Sequence, residues 1–236
     1  MADIPFHLAG VRTRIEAACK AVGRDPASVH LLAVSKTRPA EDVAAAHAAG
    51  QIAFGENYVQ EAVNKIQTLS HLLLEWHLIG PLQSNKTAEV AEWFDWVHSV
   101  DRLKIAQRLS SQRPQGSKPL NVCIQVNIDD EDSKSGCRPE EAEALALAVL
   151  ALPNLRLRGL MTIPRPGNPA ALALLAELRN RLLANIPALS PAGFDTLSMG
   201  MSDDLEAAIA AGSTMVRVGT AIFGERVKQV QEPGLT

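Results

Sequence analysis

The sequence predicts an α/β fold: one closed (β/α)8 barrel of the TIM type with an extra helix ahead of it. Three observations carry that expectation. Short apolar runs alternate with helix-periodic stretches eight times, a pattern that implies a parallel sheet covered by helices. The 236 residues suit one such barrel. Polar residues also gather at one end of the apolar runs, where barrel sites form.

The leading segment, Phe6 to Val22, places Leu8, Val11, Ile15, Ala18 and Val22 at helical spacing. The first strand is Val29-His-Leu-Leu-Ala-Val-Ser35, and Pro39 opens a helix that Gly50 ends. Strand and helix then alternate: Ile52–Phe54 and Val59–Leu69, Trp76–Ile79 and Ser84–Ala91, Trp96–His98 and Leu103–Ser110. Asn121–Ile128 is the longest strand candidate, followed by a helix from Pro139 to Leu152. Leu157–Ile163 precedes a helix over Ala170–Ile186, and Thr196–Ser198 one over Leu205–Ala211. Thr214–Val218 is the eighth strand, and Val227–Val230 suits a short last helix. One domain over 1–236 is expected, with the leading helix at about 6–22 and the barrel at about 29–232. An open doubly wound sheet is the alternative, but no strand–turn–helix carries a GxGxxG or GxxxxGK[ST] fingerprint.

Composition narrows the function. Hydrophobic residues are 47%, charged residues 21% and the net charge −3, which sets aside disorder and argues against nucleic-acid and membrane-surface partners. Aromatics at 4% argue against base stacking. Cys19, Cys123 and Cys137 are too few and too scattered for a disulfide framework or a CxxC metal site. No apolar run reaches a membrane span, and the start lacks a signal-peptide core, so a cytoplasmic protein is expected. No exposed apolar stripe indicates a dimer, so a monomer is expected.

The strand ends supply the candidate chemistry. Lys36 directly follows Leu31-Leu-Ala-Val34; at an apolar strand mouth a lysine loses hydration and becomes a nucleophile suited to Schiff-base chemistry. Taken alone, a lysine with its head in water is the commoner outcome at such a place. Ser198-Met-Gly-Met-Ser-Asp-Asp204 and Arg217-Val-Gly-Thr220 end the seventh and eighth strands, where barrels often bind phosphate. The competing reading is turn chemistry, with Asp203 and Glu206 spaced as a capping box. His71 and His77 lack metal-ligand spacing, and no metal site is expected. Asp129–Asp132 reads as a solvated acidic loop, Met161, Met199 and Met201 as packing residues, and Cys137 as an exposed thiol without an activating partner.

Taken together, these stretches resemble the YggS-type pyridoxal 5′-phosphate (PLP) homeostasis proteins, single-domain relatives of the alanine racemase barrel. The matching segments are Ala33-Val-Ser-Lys-Thr37, Phe54-Gly-Glu-Asn-Tyr-Val-Gln60, Trp76-His-Leu-Ile-Gly-Pro-Leu-Gln-Ser-Asn-Lys86, His98-Ser-Val-Asp101 and Gln125-Val-Asn127. Ser133-Lys-Ser-Gly136, Gly159-Leu-Met161, Leu197-Ser-Met-Gly-Met-Ser-Asp203 and Val216-Arg-Val-Gly-Thr-Ala-Ile-Phe-Gly224 complete them, in one order.

The resemblance implies that Lys36 carries PLP, the vitamin B6 cofactor, as a Schiff base. It implies that Ser202, Gly219 and Thr220 hold the phosphate with help from backbone at Met199 and Gly200. Arg217 would face the pyridine nitrogen, and Asn57 would line the pocket. A cation at that nitrogen disfavours its protonation and weakens the ring as an electron sink. Alanine racemases add a second domain with a tyrosine acid/base, and Tyr58, the single tyrosine, takes no such role from the resemblance. The expectation is a PLP carrier or regulator with no catalytic residues, serving PLP-dependent client enzymes. The alternatives are a PLP-dependent amino-acid racemase or lyase, and an unrelated barrel that binds a sugar or nucleotide phosphate.

Overall fold

The computed structural model describes residues 3–129, 135–165 and 167–225. Eight parallel strands close into a barrel in sequence order, β1 (His30–Val34), β2 (Ala53–Glu56), β3 (Glu75–Leu78), β4 (Trp96–Val100), β5 (Leu120–Gln125), β6 (Leu155–Met161), β7 (Thr196–Ser198) and β8 (Met215–Val218). Closure is made by β1 against β8, with His30 opposite Met215 and Ala33 opposite Val218. The doubly wound alternative is thereby excluded.

Helix α1 (Ile4–Ala21) precedes the barrel. Between and after the strands run α2 (Ala40–Ala48), α3 (Val59–Thr68), α4 (Thr87–Trp93), α5 (Leu103–Gln112), α6 (Ala142–Leu150), α7 (Ala170–Asn185), α8 (Leu205–Ala210) and α9 (Thr220–Phe223). Asp3 caps α1 by accepting from Phe6 N, and Ile4, Leu8, Val11, Ile15 and Ala18 form its buried stripe. That stripe packs on α2, α8 and α9. Arg12 donates to the carbonyls of Ala49 and Gly50, and His7 Nδ1 lies 3.2 Å from Ile222 O. α1 therefore closes the helix ring over the seam where α9 is too short to do so.

Several boundaries move. The stretch from Ser84 opens as a 3-10 turn over Ser84–Lys86 before α4. α6 starts at Ala142 rather than Pro139, because residues 138–141 form a turn in which Arg138 N donates to Glu141 Oε2. The expected helix at Val227–Val230 lies outside the described residues, as does 226–232 of the expected barrel span. α9, directly after β8, is the helix that periodicity did not reveal, since four residues carry no period.

The core divides in two. One large cluster packs the outer strand faces against the helices. Inside the barrel are two small apolar groups, Leu32 with Ile79 and Met215, and Trp96 with Cys123 and Met161. Much of the remaining interior is polar: His77, His98, Ser198 and Arg217 are all buried there. Among the described residues no helix is long and apolar enough to cross a membrane.

Candidate functional site

The residues singled out from the sequence converge on the C-terminal ends of β7, β8, β1 and β2, four consecutive neighbours in the barrel. Leu32 and Val34 form the inward row of β1, and the pleat carries Lys36 on along that row. Lys36 is half-buried in the turn after β1. The next residue, Thr37, has φ +63°, and its N–H donates to Glu61 Oε1 over 2.6 Å.

A buried ion cluster grips this turn from below. Lys65 Nζ donates to Ser35 O at 2.7 Å, Glu56 Oε1 at 2.8 Å and Glu61 Oε1 at 2.6 Å. Ser35 Oγ also donates to Glu56 Oε1. Burial pushes the Glu56 carboxyl up, against the pull of Lys65 and Ser35. The cluster thus fixes the backbone on both sides of Lys36.

The ends of β7 and β8 close in from the other side. Gly200 has φ +93°, and a Cβ there would sit 2.4 Å from Ala208 Cβ, so only glycine suits the turn. Arg217 N donates to Gly200 O, and Arg14 of α1 donates to Ser202 O. At Gly219 a Cβ would lie 3.2 Å from Val34 O, which brings the Gly219–Thr220 segment against the strand end that leads to Lys36. Thr220 opens α9, whose first N–H groups have no carbonyl within the helix. The Met199 side chain is wholly buried, and both its backbone groups are engaged, N–H with Met215 O and carbonyl with Ser213 Oγ.

Asn57 follows β2. Its Oδ1 is buried and has no hydrogen-bond partner among the described residues, which marks a place where a ligand group fits.

Arg217 is the cation of the mouth. Nη1 donates to Ser198 Oγ at 2.9 Å and Nη2 to Thr162 O at 2.9 Å. Among the described residues these acceptors engage two of the five N–H donors of the guanidinium. Burial pushes its pKa down to about 10, still cationic at neutral pH. Behind it runs a chain of contacts: Ser198 Oγ to His98 Nδ1 at 2.8 Å, His98 Nε2 to His77 Nδ1 at 2.9 Å, and His77 Nε2 to Glu75 Oε1 at 2.8 Å.

Several smaller expectations change. Cys137 is buried rather than exposed, its backbone bridged to Gln125 and Asn127. Burial pushes its thiol up to about 12. Met201 is 40% exposed and does not pack, whereas Met161 and Met199 do. The Asp203/Glu206 capping box does not form; Asp204 is the N-cap of α8, and Glu206 pairs with Arg14 at 2.9 Å. Of the acidic loop only Asp129 is described, and 130–134 lie outside the described residues. Ser198, Thr162, His98 and the Glu56–Glu61–Lys65 cluster were not assigned roles from sequence. For Glu56, His98 and Ser198 the signal was a polar residue on an apolar strand, which does not name its partner; Thr162 follows β6, and Glu61 and Lys65 lie on α3, where a charged residue is ordinary.

A cavity of about 980 Å3 opens at the opposite, N-terminal face, lined by His30, Gln51, Glu75, Trp96, Arg158 and Asp195 among others. Arg158 and Asp195 in its lining pair with each other at 2.6 Å, Glu75 reaches inward to His77 at 2.8 Å, and Arg12 and Arg179 donate to backbone carbonyls. The orphaned Asn57 amide oxygen lies instead at the C-terminal mouth. Among the described residues no three His, Cys, Asp or Glu side chains are grouped to hold a metal.

Comparison with known proteins places this geometry. The family described as alanine racemase, N-terminal domain, matches residues 7–227. The pyridoxal phosphate homeostasis protein of Pseudomonas aeruginosa is 62% identical over 229 residues, covering 96% of this chain and 97% of its own. The chain belongs to the pyridoxal phosphate homeostasis family of alanine racemase-like barrels. Another similar structure is PipY of Synechococcus elongatus PCC7942 with PLP bound, at 37% identity and TM-score 0.81, covering 94% of this chain and 100% of that one. The alanine racemase of Clostridium difficile 630 shares only the fold: 13% identity, TM-score 0.74, 96% of this chain against 58% of that chain. In this homeostasis-family barrel Lys36 follows β1, Asn57 follows β2, Arg217 lies on β8 and Gly219 follows it.

Proposed function

We propose that the chain binds PLP at the C-terminal mouth and serves intracellular PLP homeostasis. In this reading Lys36 holds the aldehyde as a Schiff base, and the protein, a cytoplasmic monomer of one barrel domain, buffers PLP and delivers it to client enzymes with little turnover. The names of its relatives and the PLP in PipY support the cofactor. The chain's own residues fit it: a half-buried amine at Lys36, an orphaned acceptor at Asn57 Oδ1, and a glycine-lined cradle at Gly200 and Gly219 beside Ser202 and Thr220.

The observation that carries the reading is Arg217. When bound, PLP supplies an electrophilic aldehyde and a ring that withdraws electrons most strongly when its nitrogen is protonated. Arg217, held by Ser198 and Thr162, presents a fixed cation for that nitrogen and disfavours its protonation. The Gly219–Thr220 segment and Ser202 contribute donors to the phosphate, the Met199–Gly200 turn shapes their pocket, and Asn57 lines the side next to Lys36. This arrangement binds and retains a reactive aldehyde better than it drives carbanion chemistry.

The test is borohydride reduction of PLP-treated protein followed by peptide mass spectrometry. One phosphopyridoxyl group per chain at Lys36 is expected, absent in Lys36→Ala. No adduct, or labels spread over surface lysines, overturns the reading in favour of a barrel for another phosphate ligand. Enantiomer or keto-acid formation from an amino-acid panel, above a PLP-only control, would replace the carrier with a racemase or lyase.

A further inference from the structure

The hydrogen bonds behind Arg217 cross the barrel from one mouth to the other. Glu75 stands at the N-terminal face with a side chain 45% exposed, while His77 and His98 are wholly buried. The direction of the chain follows from its ends. His77 and Trp96 hold the Glu75 carboxyl below its usual range, so it is an acceptor only. Burial keeps both imidazoles below their usual value, so each is neutral with one N–H. His77 must then carry its proton on Nε2 to meet Glu75. Its Nδ1 accepts from His98 Nε2–H, and His98 Nδ1 accepts from the Ser198 hydroxyl. Ser198 Oγ, having given its proton, offers its lone pairs to Arg217 Nη1–H. The opposite polarity would set a bare His77 nitrogen against a carboxylate.

We propose that Glu75, His77, His98 and Ser198 are positioning residues for the cofactor, a one-directional hydrogen-bond chain that orients Arg217 from behind and ties it to solvent at the far mouth. The proposal rests on the reading of Arg217 as the partner of the PLP ring nitrogen. Removing the carboxylate at one face then alters the guanidinium at the other, through 2.8–2.9 Å contacts only. The other charged groups facing the chain are His30 from β1 and Asp95 ahead of β4, near Glu75 and His77. Arg158 from β6 lies over the Trp96 ring that stacks on His77, paired with Asp195 ahead of β7. Asp204 and the buried Cys123 thiol of β5 act on Arg217.

The experiment has two readouts. The first uses PLP-free protein labelled with 15N-histidine: at pH 7.5, His77 and His98 are both expected as the neutral Nε2–H tautomer. In Glu75→Gln, whose amide can donate or accept, that preference is lost at His77. An Nδ1–H or doubly protonated imidazole at either position in the unsubstituted protein overturns the chain. The second readout uses PLP-loaded protein. Ser198→Ala is expected to release PLP roughly tenfold faster, the scale of losing one charge-assisted hydrogen bond. It should also shift the pH midpoint of the visible absorbance. Glu75→Gln, at the solvent edge and therefore able to fold, shifts that midpoint in the same direction. Unchanged midpoints and release rates in both variants overturn the positioning role. Failure of Lys36 to take the borohydride label overturns the PLP reading instead, and the tautomers still decide the chain.

Discussion

Arg217 on β8 and Ser198 on β7 meet inside the barrel, guanidinium Nη1 to hydroxyl Oγ at 2.9 Å, with both residues buried. A cation that deep persists only if its donors are met by acceptors of fixed direction. Here Ser198 and the Thr162 carbonyl provide them.

Arg217→Lys should therefore weaken PLP retention by about tenfold or more, because one ammonium cannot reproduce a planar fork that bonds two acceptors at once. Spectrophotometric titration with PLP measures the loss. Equal affinity in the variant would remove Arg217 from the site.

Acid should destabilise the fold through its two buried histidines. Burial holds His77 and His98 below the usual imidazole value, so the unfolded chain takes up protons first as pH falls. Their contribution is complete above about pH 6.5 and declines below it, by about 1.4 kcal/mol per pH unit for each group, until the folded-state values are passed. Urea denaturation between pH 7.5 and 5 should show the decline, and His98→Gln should flatten it.

Lys65→Met should cost about 3 kcal/mol or more, the usual result of stranding one partner of a buried pair, here Glu56. Adding Glu56→Gln should restore part of the loss, and denaturation of the single and double variants gives the coupling. The single variant also frees Ser35 O, so borohydride labelling of Lys36 should slow.

Gly200→Ala should destabilise by about 1–3 kcal/mol, since its Cβ would press on Ala208 at a left-handed φ. Because the same turn shapes the proposed phosphate pocket, PLP affinity should fall with it. Thermal melts with and without PLP separate the two effects.

Thiol reagents should leave native Cys19, Cys123 and Cys137 unmodified at pH 8 and modify all three after denaturation. All are buried, and burial raises each thiol.

The barrel was legible because eight short apolar runs leave few other ways to bury themselves, and the strand at Thr196–Ser198 matches its expected bounds. Lys36, Arg217 and the glycine turns were legible because each stands at a strand end with chemistry that a loop rarely needs. α9 was not, since a four-residue helix has no periodicity. Cys137 was misread because the turn after β5 folds back, pairing it with Val126 through a bridge that no local pattern announces. His98 gave no clue to its direction: every residue of β4 is buried, so alternation is silent there.

By itself the sequence determined the order of strands and helices, and it placed Lys36 and Arg217 at the strand ends where PLP binding is proposed. The tertiary structure alone decided who meets whom. His98 and Ser198 are 100 residues apart in the chain and 2.8 Å apart in space, and Lys65 reaches Ser35 across 30 residues. Such pairs are set by barrel closure and strand register, which fix distances between strands, whereas a linear pattern records only which face of its own strand each residue takes.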